Sequence, residues 1–152
     1  MIFAAFGTSL PFPRLLAKLD ELAKESHERI VVQTGTTPQT AKYCEMFDYA
    51  PSLNNYFQDA DFVIAHAGLG VSRELLKLNK KFIIIPRHAC YNEHNDDHQT
   101  ETCEILYKKY GIVYFDDIND LTLEVLKNPP GPYPFSDESL KMFQENIMKV
   151  LL

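Results

Sequence analysis

The chain has 152 residues, with 15 Lys+Arg against 21 Asp+Glu, a net charge of −6, and 45% hydrophobic and 24% charged residues. That length supports one domain rather than two, and that balance excludes wholesale disorder. An acidic chain without a basic run is a poor holder of nucleic-acid phosphates, and its longest strongly apolar stretch, Phe82 to Pro86, is too short to cross a bilayer.

Short apolar runs alternate with helical patterns, which predicts a doubly wound, mostly parallel α/β sheet. Ile2 to Phe6 reads as the first strand, closed by Gly7-Thr8-Ser9. The opening residues lack the basic region of a secretory signal. Leu15, Leu16, Leu19 and Leu22 then repeat at helical spacing. Arg29 to Gln33 is the second strand, residues 38 to 47 read as a short helix, and Ser52 is the expected N-cap of a helix through Gln58. Asp61 to Ala65 is the third strand, and His66-Ala67-Gly68-Leu69-Gly70 turns into a helix through Leu78.

Phe82 to Ile85 follows as a strand apolar on both faces, as expected of a central parallel strand. A polar loop, Arg87 to Asn95, precedes a helix to Tyr110. Ile112 to Phe115 reads as a fifth strand, and Leu121 to Lys127 as a short helix. After Pro129-Pro130-Gly131-Pro132, a last helix from Ser136 carries Leu140, Phe143, Ile147 and Leu151 along one stripe. The division expected is a domain over 1–128 and a Pro-rich linker with a detachable helix over 129–152. Cys44, Cys90 and Cys103 are widely spaced and fit no zinc pattern, so reduced thiols in a cytoplasmic protein are expected.

Ligands of open α/β sheets lie beyond the carboxyl ends of the strands. The loops 7–9, 33–37, 66–70 and 87–97 all fall there. Glycine beside Thr, Ser or His before a helix start suits a phosphate, because the backbone can approach it and unpaired N–H groups face it. No G-x-G-x-x-G or P-loop is present, which argues against dinucleotide and NTPase chemistry. Glu74, two turns into the helix after His66, suits the two hydroxyls of a ribose. Asp97, His98 and Gln99 at the next helix start suit a sugar. His88, His94 and His98 raise metal binding, but their spacing lacks H-E-x-x-H and no metal is expected.

The run from His66 to Glu74 resembles the nucleotide-sugar motif of GT-B glycosyltransferases. Joined to Gly7-Thr8-Ser9, to Pro11 through Leu15, to Val32-Gln33-Thr34-Gly35 and to the Tyr91 to Gln99 segment, it resembles the glycosyltransferase family 28 C-terminal domain in its stand-alone form. That form includes the bacterial PssE-type exopolysaccharide transferases and the catalytic subunit of the two-part GlcNAc transferase of N-glycan assembly. The resemblance implies a Rossmann-like donor half that takes a UDP-sugar as substrate, uses no cofactor, and passes the sugar to a lipid-diphosphate-linked saccharide. It implies a membrane-anchored acceptor-binding subunit, docked through Leu140, Phe143, Ile147 and Leu151, and a place at the cytoplasmic membrane face through that partner.

Residue by residue, the resemblance puts Glu74 on the ribose and His66 with Gly68, Leu69 and Gly70 on the diphosphate. Tyr49, Ala50 and Pro51 flank the uracil, Asp97, His98 and Gln99 hold the sugar, and Gly7, Thr8 and Ser9 lie across the cleft. His66, Asp97 and His98 are the catalytic candidates, with the base expected from the partner. Arg73 and Arg87 hint at an acidic sugar, and the sugar's identity stays open. The alternative reading is a non-catalytic nucleotide-sugar-binding subunit of another transferase.

Overall fold

The computed structural model describes residues 1–94 and 96–151; the side chains of 144 and 146–151 lie outside the description. Five strands form one parallel sheet: β1 (Ile2–Ala5), β2 (Ile30–Gln33), β3 (Glu45–Phe47), β4 (Phe62–His66) and β5 (Phe82–Ile85), in the order β3-β2-β1-β4-β5. Six helices complete it: α1 (Pro13–Ser26), α2 (Asn54–Asp59), α3 (Leu69–Lys77), α4 (His98–Tyr110), α5 (Leu123–Lys127) and α6 (Asp137–Leu151).

The period-two alternation of each strand divides the interior into two cores. Phe3, Ala5, Val63 and Ile84 face α2, α3, α4 and α6, while Ile2, Ala4, Ile64 and Ile85 face α1 and α5. Burying each of the large side chains here contributes about 2 kcal/mol. The chain winds outward from β1 to β3, then returns to place β4 on the other side of β1. The carboxyl ends of β1 and β4 are therefore neighbours at the point where the winding reverses, which opens a crevice there.

Four expectations are corrected. Residues 38 to 47 are not a helix: the Asp20 carboxylate of α1 accepts from the N–H groups of Lys42, Tyr43 and Cys44, bending the chain into β3 against β2. Ser52 accepts from Asn54 N–H at 3.2 Å, but the position before α2 is Leu53. The segment 112 to 115 makes only a single bridge, Tyr114 to Ile84, because Val113 N–H is taken by the Tyr133 hydroxyl, which itself donates to the Phe82 carbonyl. β5 is consequently the outermost full strand, apolar because helices cover both of its faces.

The fourth concerns the C-terminal stripe. Leu140 is 8% exposed and Phe143 2%, in the core shared with β1, β4 and α3, and Phe143 lies 5.0 Å from the Tyr110 ring. These two side chains serve their own domain and are not presented to a partner. Ile147 and Leu151 lie outside the described side chains.

Candidate functional site

At the end of β1 the backbone turns through Gly7, whose φ of +76° favours glycine. Gln33, the polar end of an otherwise apolar strand, reaches across to this turn. Its Oε1 accepts from Phe6 and Gly7 N–H, and its Nε2 donates to the Gly7 and Asp48 carbonyls, each at 3.0 Å. The amide thereby ties the Gly7 loop to the turn that carries Tyr49, Ala50 and Pro51. Thr8 and Ser9 are exposed on the loop, and Tyr49 is exposed beyond β3.

His66 ends β4 beside that loop. A Cβ on Gly7 would lie 2.8 Å from His66 Nε2, and one on Gly68 only 2.5 Å from Cε1. The imidazole thus sits between two glycines because neither has a side chain. Its Nδ1 lies 3.3 Å from Arg87 Nη1. Since a guanidinium only donates, Nδ1 accepts and Nε2 carries the proton of the neutral ring. Burial, aided by the Arg87 charge, pushes the imidazole down to about 4. The ring is neutral at physiological pH.

Gly68 N–H donates to the His66 carbonyl at 2.7 Å, so the expectation that it faces a diphosphate is corrected. Leu69, Gly70 and Val71 N–H, in the first turn of α3, find no acceptor among the described residues. Ser72 completes the turn, its hydroxyl and N–H both donating to the Gly68 carbonyl. The open amides and the helix dipole make this helix start attractive to an anion. Glu74 lies further along α3, partly exposed, its carboxylate 3.6 Å from Arg73 Nη1. It makes no hydrogen bond or ion pair with His66.

The loop after β5 is fastened from within. Arg87, 3% exposed, donates through Nη2 to the Phe6 and Leu10 carbonyls at 2.7 and 2.6 Å, and its guanidinium lies 4.7 Å from the Phe12 ring centre. It stays protonated at neutral pH even though burial lowers it to about 10. A buried cation committed to these acceptors cannot meet an acidic sugar, which corrects that hint. Glu93, buried, takes a bidentate pair from Arg14 at 2.9 and 3.0 Å and accepts from His88 N–H.

Gln99 Oε1 accepts from Arg87 N–H at 2.8 Å, which places Gln99 on the same edge as His66. Asp97 stands at the N-cap position of α4, but its carboxylate accepts from Ala89 N–H instead of capping the helix. His98 pairs with Glu101 at 3.4 Å. His94 faces Asp96, and His88 faces Asp116. Among the described residues no three of these groups converge on one point. A cleft of about 480 Å³ beside the loop, lined by Arg14, His88, Cys90, Tyr91, Asp116 and Asn119 among others, holds none of the residues assigned to a donor.

Sequence reasoning brings Gly7, His66, Gly68, Leu69, Gly70 and Gln99 to one edge. It gave Gln33, Arg14 and Glu93 no role of their own, and misread Arg87. A lone amide closing an apolar strand just before a glycine, and an arginine directly after the apolar run to Pro86, were the available signals.

A parallel sheet whose crevice is formed by a glycine turn, a neutral histidine and an open helix start has the architecture of one half of a GT-B glycosyltransferase. The model of the glycosyltransferase family 28 C-terminal domain matches residues 6–151, and the chain belongs to that family. It is 32% identical over 69 residues to the UDP-N-acetylglucosamine transferase subunit ALG13 of Candida albicans, which covers 45% of this chain and 22% of that protein. The solution structure of ALG13 matches with a TM-score of 0.59 at 18% identity, covering 94% of this chain and 92% of that one. The MurG structure from Acinetobacter baumannii matches with a TM-score of 0.56 at 19% identity, covering 83% of this chain and 39% of that one. The kitacinnamycin glycosyltransferase matches with a TM-score of 0.55 at 16% identity, covering 97% and 39%. The chain thus spans well under half the length of the latter two and of the curated relative it matches.

Proposed function

We propose that this chain is the donor-binding subunit of a two-component inverting glycosyltransferase. It holds a UDP-sugar whose sugar passes to a lipid-diphosphate-linked saccharide in surface polysaccharide or glycan assembly. The observation that carries the reading is the anion-ready crevice: three open amides at the start of α3 beside a neutral His66 whose Nε2 carries a proton. In the reaction an acceptor hydroxyl oxygen attacks the anomeric carbon. The bond from that carbon to the β-phosphate oxygen breaks, and the electron pair leaves with UDP. The developing negative charge falls where the α3 amides and His66 Nε2–H donate.

Glu74 is read as the ribose ligand and Gln99, held by Arg87 N–H, as a sugar ligand through its remaining amide donors. Tyr49, Ala50 and Pro51 flank the uracil at the end of the edge that Gln33 ties to Gly7. Asp97 accepts from Ala89 N–H and His98 faces Glu101, so both candidate bases already have partners within the fold. That favours a base supplied by an acceptor-binding subunit, through which the chain meets the membrane. No helix among the described residues is long and apolar enough to cross a membrane.

The test is calorimetric titration with UDP, with ADP and Glu74→Ala as controls. Saturable UDP binding, at least tenfold tighter than ADP and lost in the variant, is the expected result. UDP binding unchanged by Glu74→Ala would remove the ribose assignment. Full transfer by the reconstituted pair with both Glu74 and Gln99 substituted would make the chain an accessory subunit.

A further inference from the structure

Arg87 ties together the segment from Phe6 to Pro11, the end of β4 and the start of α4, its Nε donating to the Pro11 carbonyl at 3.5 Å. Nη2 donates to the carbonyls of Phe6 and Leu10, which bracket the Gly7 loop, and Nη1 donates to Nδ1 of His66 at the end of β4. Its own N–H holds Gln99 of α4. It is 3% exposed and lies against the Phe12 ring, so it cannot swing out to touch a ligand. Everything it does to the crevice it does through other residues.

An imidazole has two neutral tautomers, and only one presents a donor at Nε2. Nε2 lies beside Gly7 and Gly68, where the β1 and β4 loops meet and α3 begins. If Nδ1 carried the proton, Nε2 would offer a lone pair to an incoming phosphate oxygen, and the two would repel. Arg87 occupies Nδ1 with a donor that never loses its proton near neutral pH, which forces the hydrogen to Nε2.

We propose that Arg87 is a positioning residue that sets the His66 tautomer, so that the ring donates through Nε2 to the anionic group of the ligand at the start of α3. The inference rests on the donor-site reading for the ligand, but the tautomer itself is a property of the unliganded protein. A guanidinium suits the task because its planar fork serves the two carbonyls and the ring nitrogen at once. A lysine head, a single point donor, cannot reproduce that arrangement.

The experiment is nitrogen-15 NMR of the histidine rings in the wild type and in Arg87→Lys, with UDP titrations of both and of His66→Ala and the double variant. The expected wild-type spectrum shows His66 as a single tautomer with an unprotonated Nδ1. Arg87→Lys keeps the buried charge, populates both tautomers, and weakens UDP binding roughly tenfold, the effect of one lost charge-supported hydrogen bond. In the His66→Ala background the same substitution causes no further loss.

A wild-type His66 protonated at Nδ1 overturns the proposal without any variant. An equal loss of UDP affinity in both backgrounds also overturns it, because Arg87 would then act only as a structural tie. Wild-type protein with the stated tautomer but no UDP binding would overturn the donor reading, and the positioning role with it. Normal UDP binding with an unchanged tautomer in Arg87→Lys overturns the positioning role alone.

Discussion

Gln33 holds Gly7 from both sides of the peptide chain: its Oε1 accepts from Gly7 N–H at 3.1 Å while its Nε2 donates to the Gly7 carbonyl at 3.0 Å. The amide is 2% exposed, so these bonds form without competition from water. Gly7 carries the loop that packs on His66, and the second Nε2 donor reaches the Asp48 carbonyl before Tyr49. One side chain therefore sets the spacing between the end of the crevice proposed for the anion and the end proposed for the uracil.

Replacing Gln33 by leucine leaves the Gly7 and Asp48 carbonyls and the Gly7 N–H without their side-chain partner. The expected loss is about 2 kcal/mol in urea denaturation, the range for part-buried polar groups that lose a partner, since the Asp48 carbonyl keeps Gly35 N–H and Phe6 N–H keeps the Gln33 carbonyl. UDP affinity falls as well, because the Gly7 loop and the Tyr49 turn lose their common tie. A variant with wild-type stability would show that water replaces the amide without cost.

The glycines of the α3 entry make a paired prediction. A Cβ at Gly68 would meet the His66 ring at 2.5 Å, whereas one at Gly70 meets nothing within 4 Å. Gly68→Ala displaces the imidazole, lowering both stability and UDP affinity. Gly70→Ala leaves the unliganded melting temperature unchanged or raised, since alanine is the better helix former by up to about 1 kcal/mol. If an anion sits on the first turn of α3, Gly70→Ala nevertheless weakens UDP binding, because the added methyl crowds its approach. Unchanged UDP affinity in Gly70→Ala would place the anion elsewhere.

How much of this was legible depends on the range of the interactions. β1, β2, β4 and β5 were readable because Ile2–Ala5 or Phe82–Ile85 state their burial locally, in consecutive apolar residues. The loops 7–9 and 66–70 were readable because glycine before a helix start is a local signal. β3 was not, since its shape depends on Asp20, more than twenty residues earlier, accepting from Lys42, Tyr43 and Cys44. Arg87 was misread for the same reason: its partners Phe6, Leu10 and His66 come from other loops. The amphipathic stripe of α6 was correctly seen as apolar, but periodicity alone does not say whether such a stripe covers its own sheet or another protein. Phe143 answers that by packing on Tyr110.

The same carboxylate gives a stability prediction at β3. Asp20→Ala removes the acceptor for three amides, the shortest of them 2.7 Å from Tyr43 N–H. The expected cost is about 2 kcal/mol, that of hydrogen bonds to a charged group. Urea midpoints measure it. The disturbance should be confined to residues near 42–47 in amide exchange, leaving β4 and β5 protected.

The three thiols should differ sharply in reactivity. Burial pushes Cys44 and Cys103 up to about 12, so neither forms thiolate at pH 8, while Cys90 is exposed beside the cleft that Tyr91 lines. One thiol per chain should react promptly with Ellman's reagent, and the other two only after denaturant is added. Prompt reaction of two or three would mean that one of the cores opens on the timescale of the assay.

The last prediction follows from His66. Its folded-state value is about 4 against 6.5 for an ordinary histidine, lowered by burial first and by Arg87 second. Between these values the unfolded chain binds a proton that the folded chain refuses. Stability therefore falls as pH drops from 6.5 toward 4 and stops falling from this cause below 4. The full shift corresponds to at most about 3 kcal/mol. Glu45 and Asp61 are held below their ordinary values of 4.5 and 3.8, Glu45 by Arg29 and Asp61 by the N-terminal ammonium, so their contributions are lost at lower pH. Between 6.5 and 4.5 neither carboxylate contributes, and the difference between wild type and a His66 variant reads the His66 share. Urea stability measured across it should decline in the wild type and decline less in His66→Asn, which keeps a polar side chain but takes up no proton. Parallel curves for the two proteins would mean that the folded ring accepts a proton as readily as the unfolded one, and that Arg87 and Gly68 do not enclose it as described.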